Sequence, residues 1–362
     1  MHRSMAGVTI LEHELSELRL LVERQAGILL DCPNSALAAH VAEYLETHEL
    51  SSSAALLDRL SAADQDPSVL PAFLDGVLNT NTGFFRHPGA MNALAKCVIP
   101  QLYVRKSEDG PCTLRIWSAG CGTGEEAYSI AMALCDTLPN GNACANGNGT
   151  PANGSGPKEK TSASRAGGVA ESSAPAATPG AKDWSVHIVG SDLLRSSIEV
   201  AERGLYPQSA LAGLPPAIIR ASFTKIGNLG GQNGSAEGNS NGASGSSNGS
   251  SAGSSNGSNG SVHLLVKPRL RSLITFNTMN LIKPVYIGRF DCIFCMDVLP
   301  HLSRAQRTAL LERLHLYLEP GGYLFLSQTE KLCTSNLNFR SESFDGYTFH
   351  RKPMAASAAY GR

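Results

Sequence analysis

Apolar residues recur at three- and four-residue steps through ILEHELSELRLLVERQAGILL at 10–30, the spacing that gathers them on one face of a helix. Two further short helices are predicted nearby. SSSAALLDRL at 51–60 offers serines as N-caps, and DPSVLPAFLDGVL at 66–78 places prolines near a helix start. Residues 10–78 therefore read as a set of short antiparallel helices. Beyond residue 112 the period changes to strand and helix in alternation: TLRIWSA, GEEAYSIAMALCDTL, SVHIVGSD, LRSSIEVAERGL. The strands LITFNTMN and FDCIFCMDV follow, then the helix SRAQRTALLERLHLYL, the turn EPGG, the strand YLFLSQ and a last strand near GYTFHRK. Alternation of this kind predicts a largely parallel sheet of six or seven strands.

Two tracts interrupt the pattern, at 139–182 and 227–260, and both are Gly, Ser, Asn and Ala rich. They carry too little apolar surface to offset the entropy of ordering them, so disorder is the physical expectation. With these tracts set aside, the rest reads as one interrupted fold. LPPAIIRASFTKI and SVHLLVKPRLRSLITF flank the second tract, as a small antiparallel element with a greatly lengthened hairpin loop would.

Composition narrows the function classes. Thirty basic residues against 31 acidic ones give a formal charge of −1, so no overall basic field argues for nucleic acid as a partner. No apolar run reaches the ~18 residues of a membrane span, so direct membrane insertion is not expected. Nine scattered cysteines read as reduced thiols of a cytoplasmic protein. Cys292 and Cys295 form a lone CxxC inside an apolar run with no second ligand pair, which predicts buried core thiols and no metal.

The chemistry concentrates at IWSAGCGTGEEAYSI, 116–130. Gly120, Gly122 and Gly124 fall between a buried strand and a helix, where an α/β sheet presents ligands at the carboxyl ends of its strands. A dinucleotide fingerprint would need glycine at 125, where Glu125 stands, followed by Glu126. Two carboxylates suit a helix N-terminus but repel phosphate, so a cationic, phosphate-free adenosine ligand fits better. S-adenosylmethionine has a sulfonium, an ammonium and a ribose diol. Once 139–182 is set aside, Asp192 falls 24 residues after Gly124, near the ~20-residue spacing at which an acid reaches ribose hydroxyls. An N-cap role for Asp192 remains the alternative. Ahead of the sheet stands NTNTGFFRHP, 79–88, in which Arg86 follows Phe84 and Phe85, two residues expected in the core.

TNTGFFRHP, RIWSAGCGTGEEAYSIAMAL, GSDLLRSSIEVAERGLY, TMNLIKP, FDCIFCMDVLPHL and LEPGGYLFLSQTE occur in an order and spacing similar to those of the bacterial chemotaxis-receptor methyltransferases. These enzymes use S-adenosylmethionine to methylate glutamates on the cytoplasmic helices of transmembrane chemoreceptors. The resemblance implies an α/β fold: a Rossmann-like methyltransferase sheet, an N-terminal all-α domain over 1–90, and a domain over 91–362 bearing a small inserted antiparallel β subdomain and both tracts. It also implies cofactor contacts from Thr80, Thr82, Arg86, Gly120, Gly122, Glu126, Asp192, Asn280, Leu281, Met296 and Asp297, with Arg86 and His301 at the reaction site.

The chain departs from the family pattern at several positions. Thr80 replaces the usual Asn, Met296-Asp297-Val298 replaces Arg-Asn-Val, and His301 takes the place of a tyrosine. The second N-terminal helix, basic in the family, has no Lys or Arg in NSALAAHVAEYLETHEL. A signalling module that binds the cofactor without transferring methyl groups is the alternative these departures leave open, as is a different methyl acceptor.

Overall fold

The computed structural model describes residues 10–62, 66, 68–78, 82–109, 112–138, 184–226, 262–283, 287–332 and 337–354. The tracts expected to be disordered, 139–182 and 227–260, lie outside the described residues, as does Thr80. The chain divides into two compact units, Met1–Arg203 with Pro268–Arg362, and Gly204–Lys267.

The first unit opens with four helices, α1 (Glu12–Ala26), α2 (Asn34–Thr47), α3 (Ser53–Ser61) and α4 (Val69–Val77). Their ends follow the local chemistry. The Glu14 carboxylate accepts from the Leu11 N–H at 2.8 Å, the Ser52 hydroxyl accepts from the Ala55 N–H at 3.2 Å, and Gly27 ends α1 at φ 72°. Leu18, Val22, Leu37, Val41, Leu56, Leu60 and Phe73 are buried on the facing stripes, each contributing roughly 1.5–3 kcal/mol by leaving water.

The chain continues through α5 (Pro88–Ala93), a π-helical turn at Leu94–Val98 and α6 (Ile99–Asp109) into β1 (Thr113–Ala119), α7 (Glu125–Thr137), β2 (Ser185–Asp192) and α8 (Arg195–Arg203). The second unit holds β3 (Leu205–Pro207), α9 (Pro216–Ser222), β4 (Phe223–Ile226) and β5 (His263–Val266). Its three strands are antiparallel in the order β3-β5-β4, with Phe223 opposite Val266 and Ile226 opposite His263, as the swollen hairpin predicted. The first unit then resumes with α10 (Pro268–Arg271), β6 (Ile274–Thr278), β7 (Phe290–Phe294), α11 (Arg304–Tyr317), β8 (Leu318–Phe325), β9 (Arg340–Phe344) and β10 (Tyr347–Arg351).

Seven strands form one sheet in the order β6-β2-β1-β7-β8-β10-β9, parallel from β6 to β8 and closed by the antiparallel β10 and β9. From β1 the chain winds outward through β2 to β6, then returns to β7 on the other side. A crevice therefore opens at the carboxyl ends of β1 and β7, the switch point where open α/β sheets bind ligands. β7 is buried along its whole length, and Phe294 stacks on Phe325 at 4.2 Å between ring centres.

Two local expectations are corrected. EPGG is not a turn before a strand: β8 begins at Leu318, opposite Phe290, and Tyr323 lies opposite Cys292, so residues 319–322 bulge out within it. Gly321 at φ 75° supplies the left-handed backbone that this bulge needs. Cys292 and Cys295 are buried free thiols as expected, and burial raises the pKa of both. Cys135, however, is disulfide-bonded, against the expectation of nine reduced thiols; scattered sequence spacing says nothing about which sulfurs approach in space.

Candidate functional site

The glycine turn after β1 is held against the end of β2. The Gly120 and Cys121 N–H groups donate to the Ser191 carbonyl at 2.8 and 2.9 Å, and the Gly122 N–H donates to Asp192 Oδ2 at 2.9 Å. Asp192 Oδ1 accepts from the Leu194 N–H at 2.9 Å. The Leu194 contact closes a turn two residues on, ahead of the α8 start at Arg195, and is not the helix N-cap bond that was the alternative; the same carboxylate lines the cavity. Gly120, Gly122 and Gly124 have φ of 84°, 53° and 96°, which side chains rarely tolerate. A Cβ on Gly120 would lie 2.5 Å from Val298 Cγ2 in the loop after β7.

The acids at the start of α7 divide their work. Glu125 turns to the Thr123 hydroxyl, which donates to it at 2.7 Å. Glu126 accepts from the Ser118 hydroxyl at 2.7 Å, and burial pushes its pKa up to about 7, with Asp297 and Glu330 adding to the rise while Ser118 and Arg86 oppose it. Asp192 is also raised by burial, against the N–H donors of Leu194 and Gly122. Burial of this kind disfavours the ionised form, which a cationic or hydrogen-bond-donating ligand would restore.

A consequence follows for stability. Between pH 4.5 and about 7 the unfolded chain gives up the Glu126 proton while the folded chain keeps it, so this group destabilises the fold progressively as pH rises through that window. Glu126→Gln should remove the loss. Unfolding of the ligand-free variant at pH 8 is expected to be more favourable to the fold than the parent, by an amount on the order of 3 kcal/mol at most, and the gap should close by pH 4. Equal pH slopes for variant and parent would place the Glu126 carboxylate in water.

Facing the acids is the turn ahead of α5. Phe85 takes φ 52° and Asp297, after β7, takes φ 58°, left-handed conformations that cost a non-glycine residue about 1–3 kcal/mol each. The first is fixed by the Phe85 N–H donating to Ser129 Oγ at 2.9 Å, while Ser129 Oγ donates to the Glu125 carbonyl at 2.7 Å. This geometry delivers Arg86 to Asp297 Oδ2 at 3.4 Å and His87 Nε2 to the same oxygen at 3.0 Å. Phe84 and Phe85 are half-buried and not core residues, and Phe85 faces the ligand space, because the turn spends its bulk on shaping the cavity.

All of this surrounds one cavity of about 420 Å³, within the range of small-molecule sites. It is lined by Thr82, Arg86, Gly120, Gly122, Glu126, Asp192, Asn280, Leu281, Met296, Asp297 and His301, every predicted site residue among the described ones. Sequence reasoning missed Ala26, Ile28, Leu78, Phe85, His87, Met279 and Ile282, which also line it. The N-terminal segment arrives there by tertiary pairing, with the Leu29 N–H donating to the His301 carbonyl at 2.7 Å and Ile28 bridging Leu302. Nothing local in ILL announces that contact. Glu330 was missed as well: it lies outside the cavity but accepts from the Leu299 N–H at 2.9 Å and the Ser327 N–H at 2.8 Å, tying the loops after β7 and β8 together.

The lining is acidic at its base and carries one guanidinium at its rim, which fits a ligand with positive charge and a vicinal diol. Among the described residues no group of three His, Cys, Asp or Glu could hold a metal ion, and no helix is long and apolar enough to cross a membrane.

Comparison with known proteins gives the class: the sequence profile described as "CheR methyltransferase, SAM binding domain" matches residues 80–146 and 252–348, so the cavity belongs to an S-adenosylmethionine-dependent methyltransferase. The chain is 26% identical over 317 residues to Chemotaxis protein methyltransferase 1 of Pseudomonas aeruginosa, covering 87% of this chain and 88% of the relative. It is 24% identical over 331 residues to the Chemotaxis protein methyltransferase of Vibrio parahaemolyticus, covering 91% and 92%. The chain belongs to the CheR methyltransferase family, and its methyl transfer serves chemotaxis.

Proposed function

We propose that the chain forms methyl esters on glutamate side chains in the cytoplasmic helices of transmembrane chemoreceptors. The observation that carries this reading is Arg86, a partly exposed guanidinium lining an acidic cavity, held by its half-buried carboxylate partner Asp297 only through a 3.4 Å ion pair. The names of the relatives support the receptor as acceptor.

Bound in the cavity, S-adenosylmethionine would supply a methyl group activated by its sulfonium. Asp192 would take the ribose hydroxyls on the lone pairs left over from Gly122 and Leu194. Glu126 and Asp297 would provide negative charge, Gly120 and Gly122 close backbone approach, and Thr82, Asn280, Leu281 and Met296 the remaining walls. A glutamate carboxylate is already ionised at neutral pH and needs no general base. Catalysis then reduces to positioning: Arg86 orients the incoming carboxylate, and His301, exposed at the rim, bounds its path.

The test is incubation of purified protein with methyl-labelled S-adenosylmethionine and membranes carrying a chemoreceptor from the same cell. Label released as methanol by mild base, and lost when the receptor's acceptor glutamates become alanine, is the expected result. Base-stable label would overturn the glutamate reading. Binding of S-adenosylhomocysteine with no label on any receptor would instead assign a signalling module that binds the cofactor without transfer.

A further inference from the structure

Arg86 and His87 both point at one oxygen, Asp297 Oδ2, and they do so unequally: 3.0 Å from His87 Nε2 is a hydrogen-bond distance, while 3.4 Å from the guanidinium is a looser ion pair. The arginine is also the more exposed of the two side chains, 44% against 23%. If Arg86 is to turn to an acceptor carboxylate, it must leave Asp297. That would strand a carboxylate beside Glu126, whose ionisation Asp297 already opposes, and near Glu330. An uncompensated anion there would pull Arg86 back.

We propose that His87 is a positioning residue: it keeps Asp297 satisfied so that Arg86 is free to pass from Asp297 to the acceptor glutamate. The proposal rests on the glutamate-methylating reading above. The contact is a hydrogen bond donated to the carboxylate whenever Nε2 carries a proton. The charged groups around the handover are Arg86 on the same turn, Asp297 after β7, Glu126 on α7 and Glu330 after β8. The left-handed backbone at Phe85 and Asp297 brings two side chains of one segment onto one carboxylate oxygen of another.

His87→Ala should raise the KM for the receptor roughly tenfold, because the acceptor must then compete with a carboxylate that has lost its other partner. At saturating receptor, kcat should stay within about twofold of the parent. His87→Gln, which can place an amide N–H near the position of Nε2, should recover most of the lost affinity. Placed on an Asp297→Asn background, His87→Ala should add nothing further, since no charge is left to hold. A fall in kcat at saturating receptor, an unchanged KM, or a His87→Ala effect that persists beside Asp297→Asn would each overturn the role. Turnover by the parent separates the two claims: with base-labile label on the receptor, those outcomes defeat the His87 role alone, and with none, the glutamate reading fails and takes this role with it.

Discussion

Asp192→Ala is expected to weaken S-adenosylhomocysteine binding by about 100-fold or more, because one side chain does two jobs. Its Oδ2 holds the Gly122 N–H and its Oδ1 the Leu194 N–H, so truncation leaves two backbone donors unpaired as well as removing the acceptor proposed for the ribose diol. Hydrogen bonds to a charged acceptor contribute about 1.5–3 kcal/mol each, and two lost to the ligand already exceed the 100-fold mark. Asp192→Asn separates the jobs. An amide can accept from only one of the two backbone N–H groups and turns a donor toward the other, so the turn loosens while the side-chain volume stays. Calorimetric titration of parent, Ala and Asn forms with S-adenosylhomocysteine, beside their thermal unfolding, checks this. Tight binding by the Ala form would leave Asp192 as a brace for the turns at Gly122 and Leu194 only and move the ribose elsewhere in the cavity.

The features read correctly from sequence were those with a short-range physical cause. β1 was legible because TLRIWSA is an apolar run flanked by turn residues, and the glycines after it because left-handed backbone and close approach to Val298 exclude side chains. The hairpin of β4 and β5 could be inferred across its long tract because each flank keeps its own alternation. What escaped notice depends on chain segments far apart. Ile28 and Leu29 meet Leu302 and His301 across more than 270 positions, and His87 meets Asp297 across 210. β9, RSESF, pairs along its length with β10, but its side chains are exposed or half-buried, so no apolar face marks it as a strand. The bulge in β8 was mistaken for a free turn because glycine marks both, and only the register against β7 tells them apart.

Arg86→Ala should cut turnover at subsaturating receptor by about 100-fold and leave the fold nearly untouched. Its partner Asp297 is 34% exposed and Arg86 itself 44%, and an ion pair so placed is worth no more than about 1 kcal/mol to stability, so the unfolding temperature should barely shift. The acceptor carboxylate, by contrast, would lose a charge-assisted and geometrically specific partner just where its approach to the methyl group must be aligned. Arg86→Lys isolates the geometry. It keeps the charge and gives up the planar fork, so it should recover about a tenth of the parent's rate and no more. S-adenosylhomocysteine affinity divides the two duties assigned to this residue: a loss of turnover with an unchanged Kd places the guanidinium on the acceptor, and a matching loss of both places it on the cofactor's own carboxylate. Normal turnover by the alanine form at low receptor concentration would make the pair with Asp297 a surface contact and nothing more, and the handover through His87 would have no cargo.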